Sequence, residues 1–310
     1  MNRMMLAYGI LANLGLAAVA TSHSHAQDSG YIYIVKSGDT LASISQRFYG
    51  DSAFEKVLVT ESGLTGFDGV SIVAGMRLLV PFSSYYRVAS GDTWSKLSER
   101  FYGTADRGQI IASNNGLSTD SPPEQNAQLL IPYALRHVSD ARDDLMSICE
   151  AYYGTTEPLA SLRKFNRLSR NKLKRSQVIL VPMPKLVLSE QGRKIVEAAT
   201  GSALPDGSIR LLQTQSIQRI AQLRELVRRG RYIEAVAYGN ELQGIGALTA
   251  SQSVVVYSEL ATAYVALERE DLALKAFKAA LALHPELELD TAKTSPKVLL
   301  VLKKARALKR

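Results

Sequence analysis

The sequence predicts a two-part molecule: an α+β N-terminal part of tandem βααβ modules, then an all-α C-terminal domain of helical repeats. Three observations carry that prediction. Tyr33-Ile34-Val35-Lys36-Ser37-Gly38-Asp39-Thr40-Leu41 returns as Tyr86-Arg87-Val88-Ala89-Ser90-Gly91-Asp92-Thr93-Trp94, and Phe48-Tyr49-Gly50 returns at the same offset as Phe101-Tyr102-Gly103. A closing aliphatic pair plus proline occurs three times, as Leu79-Val80-Pro81, Leu130-Ile131-Pro132 and Leu180-Val181-Pro182, the last preceded by a weaker copy with Tyr152-Tyr153-Gly154. From Ile217 to Pro285 the apolar residues recur at helical spacing instead.

Residues 1–26 read as a signal peptide. Arg3 is followed by an uncharged apolar run from Met4 to Ala20, and Ser24-His25-Ala26 places small residues where a signal peptidase inspects the chain. Cleavage is expected after Ala26. The competing reading is a retained anchor, but the run is short of the roughly 20 apolar residues of a bilayer span and contains Gly9 and Gly15. No Cys follows it, which disfavours a lipid anchor. The protein is therefore expected to be exported, to the periplasm or the cell wall, with no membrane span after cleavage.

Each module opens on an alternating strand, around Tyr31 to Val35 in copy one. A turn follows, in which Asp39 or Thr40, and Asp92 or Thr93, can accept the unpaired N–H groups of the first helical turn. The buried face of that helix runs Leu41, Ile44, Phe48 in copy one, Trp94, Leu97, Phe101 in copy two and Leu145, Ile148, Tyr152 in copy three. Trp94 thus reads as core, not as a sugar platform. The glycine after each aromatic pair ends the helix, a second helix begins near Phe54-Val57-Leu58 or Ile110-Ile111, and the last strand is expected to stop at its proline. The boundaries are 31–82, 85–133 and, for the degenerate third copy, 136–184.

With an opening Ser-Gly-Asp-Thr, a mid-module Asn before a Leu and a closing Pro in that order, residues 31 to 184 resemble the LysM (lysin motif) family. That resemblance implies a βααβ module binding polymers that contain N-acetylglucosamine, such as peptidoglycan. It places the glycan in a shallow groove between the loop entering the first helix and the loop leaving the second. The site residues it implies are Ser37, Gly38, Asp39 and Thr40 with the region Gly69 to Gly75, including Val73 and Gly75, in copy one. In copy two they are Ser90, Gly91, Asp92 and Thr93 with Ser118 to Pro123, including Ser118 and Thr119. A glycine there lets the backbone approach a sugar, and free N–H and C=O groups can pair with an N-acetyl amide; alternatively the Asp and Thr side chains serve only as turn and cap. The copies differ. The mid-module Asn is Asn115 and Asn166 but Ser62 in copy one; Gly75 is replaced by Asn126 and Ser176; and copy three opens on Arg142-Asp143-Asp144. Copies one and two read as binders and copy three as a doubtful one.

Residues 185–215 read as a linker with a helical stretch from Glu190 to Ala199 and a turn-rich Gly201 to Gly207. In 216–310, Tyr257, Leu260, Ala261, Tyr264, Ala273, Phe277, Ala280 and Pro285 resemble the tetratricopeptide repeat pattern. Gly230 to Ala235 is a diverged half-match upstream, and Ser295-Pro296 opens a last helix that can cap the array. Such a domain implies an adaptor with a protein partner.

The formal charge of +8 is concentrated late: residues 27 to 184 carry 17 Lys and Arg against 16 Asp and Glu, and residues 185 to 310 carry 19 against 13. For an exported protein this favours anionic envelope polymers or membrane surfaces and argues against nucleic acid. Between Glu157 and Glu190 there is no acid, while Arg163, Lys164, Arg167, Arg170, Lys172, Lys174 and Arg175 crowd copy three; this is either a surface for envelope anions or an ordinary solvated face. Catalysis lacks its usual parts. Beyond the first 26 residues there are two histidines, His137 and His284, one cysteine, Cys149, read as buried filler, and no zinc-peptidase or serine-hydrolase motif. His137 reads as a surface residue. The expectation is a non-enzymatic wall-binding protein of the cell envelope with no cofactor and no metal; a scaffold that binds no glycan, or a subunit or regulator of a peptidoglycan hydrolase, is the alternative.

Overall fold

In a computed structural model, the structure describes residues 30–64 and 71–308. The expected signal peptide lies outside these residues. The modules run β1 (Gly30–Ile34), α1 (Leu41–Tyr49), α2 (Glu55–Glu61) and β2 (Arg77–Pro81); then β3 (Ser84–Arg87), α3 (Trp94–Tyr102), α4 (Gly108–Asn114) and β4 (Gln128–Ile131); then β5 (Tyr133–Val138), α5 (Leu145–Tyr153), α6 (Leu159–Phe165) and β6 (Val178–Met183). Each pair of strands forms its own antiparallel sheet, β1 with β2, β3 with β4, β5 with β6.

The local causes repeat from copy to copy. Thr40, Thr93 and Asp144 are the N-caps, accepting from Ser43 N, Lys96 N and Ser147 N, and Gly50, Gly103 and Gly154 end the helices in the left-handed conformation that glycine adopts without strain. In each aromatic pair the second ring donates to the closing proline's carbonyl: Tyr49 to Pro81 (2.7 Å), Tyr102 to Pro132 (3.0 Å) and Tyr153 to Pro182 (2.9 Å). The prolines do not all end their strands as expected. Pro81 pairs with Gly30 and Pro182 with Ala134, and β6 continues to Met183, because in a two-stranded sheet a proline can turn its missing N–H away from the only partner.

Copies one and three share a single core, in which Phe48, Leu58, Leu135 and Ile148 are buried together, whereas copy two closes on Val88, Trp94, Leu97, Ile111, Ala112, Leu129 and Ile131. Glu61 of α2 accepts from Tyr133 Oη (2.8 Å) and Arg136 N (2.9 Å), and Thr60 meets Tyr152 Oη at 2.8 Å. The connectors are short: Phe82 and Ser83 between β2 and β3, Pro132 between β4 and β5. Ser83 ties them together, donating from Oγ to Met183 O (2.6 Å), from N to Leu186 O (2.5 Å) and accepting from Tyr133 N (3.2 Å).

The segment 185–215 is not a free linker. Helix α7 (Glu190–Thr200) packs on α1, with Ser189 N and Oγ donating to Phe48 O and Arg47 O at 2.7 Å each. Leu186 and Val196 complete the shared core, an apolar contribution hidden by the segment's Lys, Ser and Gly content. Helix α8 begins at Ser208, before the expected domain start at 216, and runs to Arg228; α9 (Tyr232–Gly244), α10 (Ala250–Ala266), α11 (Glu270–Leu283) and α12 (Pro296–Ala307) follow. Ala261, Ala273 and Ala280 are fully buried and bring α10 and α11 close, around Leu223, Leu242 and Phe277. Thr249 and Ser295 cap α10 and α12, the latter with Pro296 in the first turn.

The helices dock on copy two. Buried Gln213 accepts from Gln128 N (3.1 Å) and donates to Asn126 O (2.8 Å) and Ala247 O (2.9 Å). Arg210 donates to Asn115 Oδ1 (2.6 Å), Arg87 to Gly246 O (2.9 Å), Ala250 N to Gln125 O (3.0 Å) and Ser251 N to Glu124 Oε1 (2.7 Å).

Candidate functional site

In both opening turns the glycine is exposed and left-handed, Gly38 at φ +84° and Gly91 at φ +80°, and a Cβ built on either meets nothing within 4 Å. Ser37, Ser90, Thr40 and Thr93 are exposed around them. The acids are committed elsewhere. Asp39 accepts from Tyr33 Oη (2.6 Å), Lys36 N (2.8 Å) and Arg47 Nη2 (2.9 Å), and Asp92 accepts from Tyr86 Oη (2.9 Å) and Ala89 N (2.8 Å). Burial would raise the Asp39 carboxyl, but the Tyr33 hydroxyl, the Lys36 amide and Arg47 together hold it at about 2. Of the two cap candidates in each turn the threonine is the cap, and the aspartate fixes the turn to the first strand. The backbone at Ser37-Gly38 and the Ser90-Gly91 amides are what remain to meet a ligand, the Gly91 carbonyl already accepting from Lys96 Nζ (2.8 Å).

The opposite wall of copy one is described from residue 71 onward. Gly75 N donates to Val35 O (2.8 Å), Val35 N to Met76 O (2.9 Å) and Met76 N to Val73 O (3.1 Å), so Val73 and Gly75 are brought beside the opening turn. Val73 is 61% exposed, an apolar side chain on the rim. The bonds of Gly75 recur at Asn126 with Val88 (2.9 Å) and Ser176 with Ser139 (2.8 Å), and all three residues have positive φ. Asparagine tolerates that conformation better than serine.

In copy two Trp94 is buried, as expected of core, and its indole Nε1 donates to Ser121 O at 2.6 Å, which pins the loop after α4 to the start of α3. The pinned loop carries exposed Ser118 and Thr119, and Ser118 Oγ is bonded to Asp120 (2.6 Å). The mid-module Asn is structural. Asn115 brackets Leu130 with bonds of 2.8 and 2.9 Å, Asn166 brackets Leu180 at 2.9 Å each, and Ser62 supplies a single bond to Leu79 N (3.0 Å). The helical domain's contact with Glu124, Gln125 and Asn126, at the end of the same loop, had no sequence signal, because the Ser251 and Ala250 amides and the Gln213 side chain act through polar groups that apolar periodicity does not register.

Copy three is built otherwise. Leu145 N donates to Asn171 O (3.0 Å), and Asp144 pairs with Lys172 in an isolated antiparallel bridge, so the two loops are joined backbone to backbone. His137 is buried, not on the surface: Nδ1 lies 2.9 Å from Tyr152 Oη and Nε2 3.0 Å from Asp143 Oδ2, where copies one and two have tyrosines. Cys149 is fully buried in the shared core, and burial raises its thiol. Among the described residues no group of three or more His, Cys, Asp or Glu could hold a metal ion, and no helix is long and apolar enough to cross a membrane. A cleft of 890 Å³ lies where the three modules meet, lined by Phe54, Asn114, Tyr153 and Phe165 among others. None of the expected site residues reaches it.

The LysM domain family profile matches residues 33–81 and 86–132, so two LysM domains occupy the first two copies. Two curated relatives, Esterase MT1326 and Esterase Rv1288 of Mycobacterium tuberculosis, are each 33% identical over 122 residues, 39% of this chain. The chain spans about a quarter (26%) of their length. Among solved structures, the spore cortex-lytic enzyme SleL of Bacillus cereus is 28% identical over 33% of this chain and 23% of its own, with a TM-score of 0.15. The ectodomain of a receptor like kinase is 18% identical over 52% of this chain and 94% of its own, with a TM-score of 0.17.

Proposed function

We propose that this chain, whose LysM domains indicate binding of peptidoglycan or a related N-acetylglucosamine polymer, is a non-catalytic exported protein that holds the wall through copies one and two. In this reading its helical domain is a tetratricopeptide-like adaptor for a protein partner. The observation that carries the binding role is the pair of open glycine turns inside the two matched stretches, each beside an exposed second loop. A non-catalytic role is favoured by the fate of the reactive side chains: Cys149 and His137 are buried in structural contacts, and the Asp39 and Asp92 carboxylates are occupied. The esterase activity named in the relatives belongs to proteins of which this chain spans a quarter. The partner role rests on the eight-position pattern from Tyr257 to Pro285 and on the buried alanines between α10 and α11.

The test is co-sedimentation of the full-length chain with purified sacculi. Wild type is expected to pellet, and Gly38→Trp with Gly91→Trp, which fills the space over both turns, to stay in solution. Because both positions have positive φ, the pair Gly38→Asn and Gly91→Asn controls for backbone strain. A folded tryptophan variant that pellets like wild type removes the groove assignment, and release of soluble fragments from the sacculi overturns the non-catalytic reading.

A further inference from the structure

Copy three shows a groove closed by its own backbone. The loop entering α5 and the loop leaving α6 are bonded directly through Leu145 N to Asn171 O (3.0 Å) and the Asp144–Lys172 bridge. The Asp144 side chain also caps α5 at Ser147 N (2.8 Å), and Asp143 is held by His137 and by Asp140 N (2.7 Å). No left-handed glycine stands in the turn, since Arg142 occupies the position of Gly38 and Gly91.

The closed seam carries a row of cations. Along residues 170 to 174, Arg170, Lys172 and Lys174 are exposed while Asn171 and Leu173 are half-buried. Arg175 follows, also exposed. The acids within reach are spent: Asp140 faces Arg142 (3.7 Å) and accepts its N–H, while Asp143 and Asp144 are committed as above. Arg167, two residues beyond α6, already pairs with Asp106 of copy two.

We infer that copy three is a binding site for a linear anionic polymer of the envelope, phosphate-bearing or carboxylate-bearing, and not a third neutral-glycan groove. A run of four exposed cations within six residues suits a chain of repeated charges better than a single small anion, and its attraction adds along the run. Arginine at the head of the row can take a phosphate or carboxylate oxygen pair in two parallel bonds. The protein then meets the wall by two chemistries, neutral N-acetyl groups at copies one and two and negative charge at copy three.

The experiment uses the full-length chain and four probes: linear polyphosphate, poly-L-glutamate, neutral chito-oligosaccharide and duplex DNA. Wild type is expected to bind at least one polyanion at low salt, the stronger of the two identifying the anion class. The triple variant R170Q/K172Q/K174Q should lose at least about tenfold in that affinity and reduce the slope of log K against log salt by about 2 to 3, one counterion per cation removed. Chito-oligosaccharide binding should not change, which separates this site from the grooves of copies one and two. A charge-matched variant of the helical domain, K275Q/K278Q/K297Q, should bind polyanion like wild type. Equal loss in both triple variants, no polyanion binding by wild type, or tighter binding to duplex DNA than to either polyanion overturns the inference.

Discussion

Replacing Gln213 by alanine tests whether the helical domain is part of what holds copy two together. The Gln213 amide is 7% exposed and serves three backbone groups on two sides of the junction, Gln128 N–H, Asn126 O and Ala247 O. Truncation leaves all three without this partner. A buried group left unpaired costs about 1 to 3 kcal/mol, with carbonyls at the lower end because they have a second lone pair. For one amide and two carbonyls the sum is roughly 3 to 5 kcal/mol. The helix itself gains only about 0.4 kcal/mol from alanine. Trp94 is the single tryptophan and sits in the core of copy two, so its fluorescence in a urea titration reports that module alone, while far-ultraviolet dichroism reports mainly the helices. For a slope of roughly 2 kcal/mol per molar, the Trp94 midpoint should fall by about 1 M or more. Gln222→Ala, on the exposed side of α8, should cost under about 0.5 kcal/mol. If the dichroism midpoint falls and the Trp94 midpoint stays where it was, copy two stands without the helices and the reasoning is wrong.

Three further outcomes are expected. Gly192→Ala should destabilise the shared core by about 1 to 3 kcal/mol in a thermal melt, because the new Cβ would lie 2.5 Å from the Phe48 carbonyl oxygen; an unchanged melt would mean that α7 does not hold against α1. The Asp39 carboxyl is held at about 2, below its unfolded value of 3.8, so its stabilisation is complete above pH 4 and lost as the pH falls toward 2. Asp39→Asn should therefore flatten the acid limb of the stability curve by no more than about 1 kcal/mol after solvent screening, and a curve that keeps its acid limb would place the titration elsewhere. Ala273→Leu, at a fully buried position between α10 and α11, should cost about 1 to 3 kcal/mol by overpacking; because the helices dock on copy two, sacculus binding is expected to weaken with it, and full retention would show that the two halves act separately.

What was legible in the sequence was whatever a local rule controls. The capping turns (though not the choice of Thr40 over Asp39), the left-handed glycines after each aromatic pair and the inward face of Leu41, Ile44 and Phe48 follow from spacing and residue type, and each stands where that spacing puts it. Trp94 was legible as core, but its bond to the Ser121 carbonyl was not, since 27 positions separate the two residues. His137 was misread because a histidine replacing a tyrosine looks like surface unless its partner, Asp143, is known to face it. The association of copies one and three was hidden entirely: the order of repeats along a chain carries no information on which of them meet, and Glu61, which joins α2 to β5, is an exposed-looking acid in a polar stretch. The linker was misjudged for a related reason, two or three apolar residues among many polar ones being enough to seat α7.

The shortness of the connectors alters what multiplicity of sites can accomplish. Beads on a slack string raise avidity by searching: each bound bead keeps the next one near, and any spacing of ligands within reach will do. Here one proline separates the second module from the third, and Ser83 bonds the other joints together, so the grooves sit at distances and angles fixed when the chain folds. Such an array behaves as a gauge. On the function proposed above, it would engage at full strength only where the polymer offers its sugars and charges at matching intervals, and elsewhere in the same mesh it would grip with one module at a time and let go.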